Sequence, residues 1–252
     1  MVVFLVLVSG LISLVVFPQS LFANKLEHEK FLVYYNNPIE EDKLRLILND
    51  AYQLVERCEL HDSDYRFDIF LADGNLFNQI DDLQGKGPSA RATAGNIIIK
   101  VPIDAELNLA HSPISRINLT ELIAHEMVHL LQAHTYGLIN FSPVKHPPMW
   151  KLEGYPEYVA RESRRRPNAY DLIAEIERFL ALEQISPNGF HEVVEGHFMP
   201  AYYLKGRLMI EYLMGVRSMT YDSILKDTRS EDEIFNEMLH WMKSQPSENP
   251  VY

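Results

Sequence analysis

The sequence predicts an α+β fold. Strand-like segments, rich in aromatic and β-branched residues, fall in the first part of the chain. Helical periodicities dominate the rest, and the two kinds do not alternate as they would around a parallel α/β sheet. The size suits such a domain: 252 residues, 47% of them hydrophobic, are enough for one sizeable core or for two small lobes sharing one.

Residues 1–23 carry no charge. The run Val2-Val3-Phe4-Leu5-Val6-Leu7-Val8 continues through Leu11 to a second apolar stretch ending at Phe17. A core helix keeps a polar face, and this segment has none. Its length suits a signal peptide and is marginal for spanning a bilayer, and Leu21-Phe22-Ala23 offers a cleavage site. The start lacks the Lys or Arg of an ordinary signal. The expectation is export, as a cleaved signal or a retained anchor, to the periplasm or the inner membrane of a bacterium. A retained segment would associate the chain with the membrane. A buried helix of the domain is the alternative.

Residues 31–35 predict a strand, ended by Asn36-Asn37-Pro38. Residues 39–58 predict a helix with Leu44, Ile47, Leu48, Ala51, Leu54 and Val55 on one side. A second strand, 65–71, closes at Asp73-Gly74. A loop containing Gly85, Gly87 and Pro88 leads to a third, 96–101, which stops at Pro102. Asn118 is the expected N-cap of the next helix, with Glu121 as its capping-box partner. That helix runs to about His134, before Gly137. Pro143, Pro147 and Pro148 mark a loop. Helices are then expected from near Trp150 to about Arg166, over 169–184, 200–215 and 231–244. The domain thus spans 24–252, with a sheet-containing part at 24–112, a pair of site-bearing helices at 113–166 and a helical part at 167–252.

The net charge is −12, from 23 basic and 35 acidic residues, which argues against a nucleic-acid partner. The one basic run, Arg164-Arg165-Arg166, suits a solvated helix end. Cys58 is the only cysteine, so no intrachain disulfide and no cysteine-rich zinc cluster can form. Among Leu54 and Val55 it predicts a small packed side chain.

The chemical signal is His125-Glu126-Met127-Val128-His129. On a helix, residues four apart share a face, so both imidazoles can hold one metal ion. Glu126 is displaced by one position and falls beside that ion, where a carboxylate can take a proton from water. A catalytic zinc wants three protein ligands and one open position. Glu153, in Trp150-Lys151-Leu152-Glu153-Gly154, is the candidate third ligand, on a helix folded back against the first. Glu157, one turn on, can orient a ligand histidine through its free nitrogen. The remaining histidines, 28, 61, 111, 134, 146, 191, 197 and 240, have no ligand spacing and default to surface or loop positions, with His134 and His146 flanking the site.

At these residues the chain resembles the gluzincin zinc metallopeptidases, the group containing thermolysin and aminopeptidase N. The H-E-x-x-H segment is shared with all of them. Residues 150–158 are similar to the W-L-x-E-G segment of the aminopeptidases, which implies Glu153 as the third zinc ligand. The thermolysin-like spacing implies that Glu157 supports a histidine. Tyr203-Leu204-Lys205-Gly206 resembles their Y-x-K-G segment, which implies Tyr203 as the donor to the oxyanion, with Tyr202 the adjacent alternative. Three departures stand out. The G-x-M-E-N exopeptidase segment is absent, which argues against aminopeptidase activity. Pro156 replaces a small residue, so a helix must begin close to Glu153. The chain is also far shorter than the aminopeptidases and closer to compact, single-domain gluzincins.

The resemblance implies a zincin-like domain that binds Zn2+ and hydrolyses bonds in a peptide or protein substrate. The third strand is expected to offer its edge to that substrate. The alternative is a zinc-stabilised binding or assembly protein of the cell envelope, without turnover.

Overall fold

Alternation along residues 31–35 turns Phe31, Val33 and Tyr35 to one side, and all three are buried in the computed structural model of the chain. The structure describes residues 18–75, 78–79, 88–141, 145–161 and 171–245. Residues 1–17 of the apolar segment, Gly85, Gly87, Pro143 and the Arg164–Arg166 run lie outside them, as does the expected end of the helix that starts near Trp150.

Five strands form one sheet in the order β1-β2-β3-β5-β4. They are β1 (Asn24–His28), β2 (Phe31–Tyr35), β3 (Phe67–Leu71), β4 (Ala90–Thr93) and β5 (Asn96–Ile99). β2, β3 and β5 run parallel, while β1 and β4 are antiparallel additions at the two edges. Neither edge strand was legible in the sequence. β1 is polar, as edge strands often are. β4 returns to β5 through Ala94 and Gly95, both at positive φ, and alanine seldom accepts that conformation. The third expected strand is therefore not an edge: β5 is hydrogen-bonded on both sides, and among the described residues β4 is the outermost strand.

Helix α1 (Glu41–Glu56) links β2 to β3 and buries the six apolar residues that its periodicity singles out. With α2 (Leu119–Tyr136) it covers one face of the sheet, against Val33, Ile69, Ile97 and Ile99. The other face is covered locally by the chain's own start. A short turn, Pro18–Leu21, brings Leu21 and Phe22 over Phe70, Ala72 and Ile98. Among the described residues no helix is long and apolar enough to cross a membrane.

Between β5 and α2 in the chain comes a small three-stranded sheet, β6 (Ile103–Asp104), β7 (Leu109–His111) and β8 (Arg116–Asn118). After α2 come α3 (Met149–Leu152) and α4 (Gly154–Ala160), where one helix was expected, then α5 (Leu172–Ile185). A hairpin, β9 (Phe190–Val194) and β10 (His197–Pro200), interrupts the helical part, and the Arg116 amide donates to Gly196 O across to β8 at 2.7 Å. α6 (Ala201–Glu211) runs on into a wider π turn at Tyr212–Val216, followed by α7 (Tyr221–Lys226) and α8 (Glu231–Ser244). The observed fold is mixed α+β with a small sheet, as the sequence predicts, with strands also scattered into its helical half.

α4 and α6 touch backbone to backbone. A Cβ on Gly154 would stand 2.6 Å from the Gly206 carbonyl, and one on Gly206 would stand 3.0 Å from Trp150 O. Gly154→Ala should therefore push the two helices apart and cost about 1–3 kcal/mol. Thermal unfolding of the variant beside the parent chain measures that loss.

Candidate metal centre

Helix α2 begins as expected at Asn118, whose side chain accepts from the Glu121 amide at 2.9 Å. The Glu121 carboxylate lies 3.9 Å from Arg161. Leu119, Ile123, Met127, Val128 and Leu131 are buried and anchor the helix. That leaves His125 and His129, one turn apart, facing the joint between α3 and α4. Glu153 occupies that joint with helical backbone angles of −89° and −32°. Pro156 falls in the first turn of α4, where its missing N–H costs nothing.

The structure brings the four residues singled out around the metal together. His125 Nε2 and His129 Nε2 are 3.0 Å apart, and Glu153 Oε2 stands 3.3 and 3.2 Å from them. Glu157 Oε1 is 3.0 Å from His125 Nδ1. Donors about 2.0–2.1 Å from a tetrahedral zinc ion stand about 3.3–3.4 Å from one another. The three donor atoms are thus spaced to hold such an ion, and two imidazoles with one carboxylate are a donor set that zinc accepts.

Electrostatics point the same way. Burial favours a neutral His125, but contacts with Glu153 and Glu157 outweigh it and push the ring up to about 10. Burial likewise opposes the charge on Glu153, yet His129 and His125 hold its carboxyl well below the glutamate range. Glu157 is held low against burial by Arg161, whose Nε donates to Oε2 at 2.6 Å, and by His125. Two ionised, buried carboxylates thus demand positive charge at the imidazoles, which either a proton or a metal cation meets. Burial pushes Glu126 above its ordinary range, against the pull of both rings. Among the described residues its Oε2 is buried without a hydrogen-bond partner.

The cluster opens into a cleft with two lobes, of about 500 and 710 Å3. His125, Glu126 and Tyr203 line both. The larger lobe follows β4 and Gly95 and extends to His134 and His146. The smaller lies between Leu122, Arg161 and the β9–β10 hairpin. Tyr203, on the first turn of α6, has its ring 5.9 Å from that of His125. Tyr202 is 47% exposed and reaches only the smaller lobe. Burial and then Glu153 push the Tyr203 phenol well above its ordinary value, so it stays a donor.

Two histidines depart from their expected surface positions: His191 and His197 are buried on the hairpin, with His191 2.7 Å from Glu183. Sequence reasoning also missed Arg161 and Gln132. Both had a signal, since Arg161 follows Glu157 by four residues and Gln132 follows His129 by three, each pair on one helix face.

If Glu153 is a ligand and Glu157 only orients one, Glu153→Ala should weaken zinc binding far more than Glu157→Ala, for which about 10–100-fold is expected. Competition against a chromophoric chelator gives both constants, and the reverse order would exchange the two roles. Comparison with protein-family models, with curated proteins and with solved structures finds no match to this chain, so the site is interpreted from its own geometry.

Proposed function

We propose that this chain is a zinc-dependent peptidase of gluzincin type, built on a zincin-like domain. The observation that carries the reading is the triangle of His125 Nε2, His129 Nε2 and Glu153 Oε2 at 3.0–3.3 Å, open to a cleft and flanked by Glu126 Oε2, unpartnered among the described residues. A purely structural zinc site has no use for such a carboxylate. The outer edge of β4, along the larger lobe, can take up an extended peptide by adding a strand.

Zinc held there supplies Lewis acidity toward the scissile carbonyl and the attacking water. Glu126 takes the proton from that water and passes it to the departing amine. Its burial, which raises its proton affinity, suits a group that must carry a proton between two steps. Tyr203 donates its O–H to the carbonyl oxygen as negative charge develops there. His125 is held by Glu157, itself held by Arg161. The uncharged segment at 1–23 supports export or membrane anchoring of the chain.

Glu126→Gln keeps the shape and deletes the base. It should retain zinc and fold while turnover of a peptide library falls at least ~10²-fold. Unchanged turnover in that variant removes Glu126 from the mechanism. A parent chain that binds zinc and cleaves nothing favours the binding or assembly role instead.

Tyr203→Phe should lower turnover about 10²–10³-fold with little change in substrate binding. A normal rate there, with a damaged Tyr202→Phe variant, would move the donor one residue upstream.

A further inference from the structure

Gln132 is fully buried on α2, three residues after His129. Its side-chain nitrogen lies 3.1 Å from the carbonyl oxygen of Leu152. A carbonyl only accepts, so the amide must present its NH2 there, and Oε1 must be the atom 2.9 Å from His129 Nδ1. An amide oxygen also only accepts. His129 therefore carries a proton on Nδ1, so Nε2, the atom facing His125 and Glu153, is the nitrogen available to a metal ion.

The remaining hydrogens are accounted for as well. The second amide hydrogen of Gln132 goes to Tyr221 OH at 2.7 Å, and that hydroxyl donates to Lys151 O at 2.9 Å. Both carbonyls that end this chain of bonds belong to the residues immediately before Glu153. The Tyr221 ring is fixed by stacking on Tyr155, with centroids 3.9 Å apart. Tyr221 N donates to Glu59 Oε2 at 2.7 Å, and Tyr155 OH accepts from Glu59 N at 3.0 Å.

We propose that Gln132, locked by Tyr221, is a positioning residue that sets the tautomer of His129 and ties its ring to the backbone carrying Glu153. It deepens the metal-site reading above and rests on it. His125 is oriented differently, by the charged Glu157–Arg161 pair. The neutral amide orients His129 without adding charge to a site that already holds the buried Glu126, Glu153 and Glu157 side chains.

The test uses the full chain and zinc or cobalt(II) alone, with no peptide substrate. Gln132→Met keeps the length and removes all three hydrogen bonds of the amide, to His129, Leu152 and Tyr221. It should raise the zinc dissociation constant about 10–100-fold and alter the visible spectrum of the cobalt form. Tyr221→Phe keeps the stacked ring and removes only the hydroxyl, and should give a smaller rise with a spectral change in the same direction. Gln132→Glu keeps an acceptor for Nδ1 and should recover part of the affinity lost in Gln132→Met. Parent affinity and parent spectrum in folded Gln132→Met would overturn the positioning role while leaving the metal site intact. If Gln132→Met does not fold, the same result in Tyr221→Phe overturns it. A parent chain that takes up neither metal overturns the site reading itself, and this inference with it.

Discussion

Two buried carboxylates and two imidazoles share a space a few ångströms across, and the structure around them depends on that crowding being held. Glu153 and Glu157 stay ionised although burial opposes it, because His125, His129 and Arg161 lie against them. A buried charge is tolerated only when it is paired and hydrogen-bonded. The cluster meets that condition through two partly separate networks, one charged behind His125 and one neutral behind His129.

Holding the cluster requires three elements that are distant in sequence. α2 supplies both histidines and is clamped by its Asn118 cap and its apolar face on the sheet. The α3–α4 joint supplies Glu153, and it reaches α2 because Gly154 and Gly206 let α4 lie directly on α6. α6 in turn carries Tyr203 on its first turn, so the same glycine contact sets the distance from the hydroxyl to the His125–His129–Glu153 cluster. Arg207 on α6 donates to Glu175 of α5 at 2.8 Å and extends the brace outward. A side chain at either glycine would disturb the ligand set and the phenol together.

The cleft is asymmetric for a structural reason. On one side the antiparallel strand β4, outermost in the sheet among the described residues, runs beside Glu126, which accepts from the Ala92 backbone. On the other, the β9–β10 hairpin and Arg161 close a smaller lobe whose rim includes Phe190 and Phe198, 55% and 38% exposed. Those values separate a rim that a ligand can touch from the buried Met199 behind it, which is 4% exposed.

Local pattern carried a large part of this. The helical periods of 41–56, 119–136 and 231–244, the Asn118 cap and the i, i+4 histidines all depend on neighbours within a few residues, and such interactions are written in the sequence. Glu153 and Glu157 were legible through the resemblance of residues 150–158 to the aminopeptidase segment, and both carboxylates do lie against the histidines. What only tertiary structure decided are the pairings between distant segments. β4 and β1 are short and polar or weakly apolar, and only hydrogen bonding to a neighbour makes them strands. Which strand is outermost follows from that pairing and not from hydrophobicity. Gln132 meets Leu152 and Tyr221 across 20 and 89 residues of chain, and the Gly154–Gly206 contact joins two further segments distant in sequence. The sequence by itself determined which side chains are candidates to hold a metal and where the main helices run. Folding decided the tautomer, the spacing and the open side of the site, because those depend on contacts that no local period records.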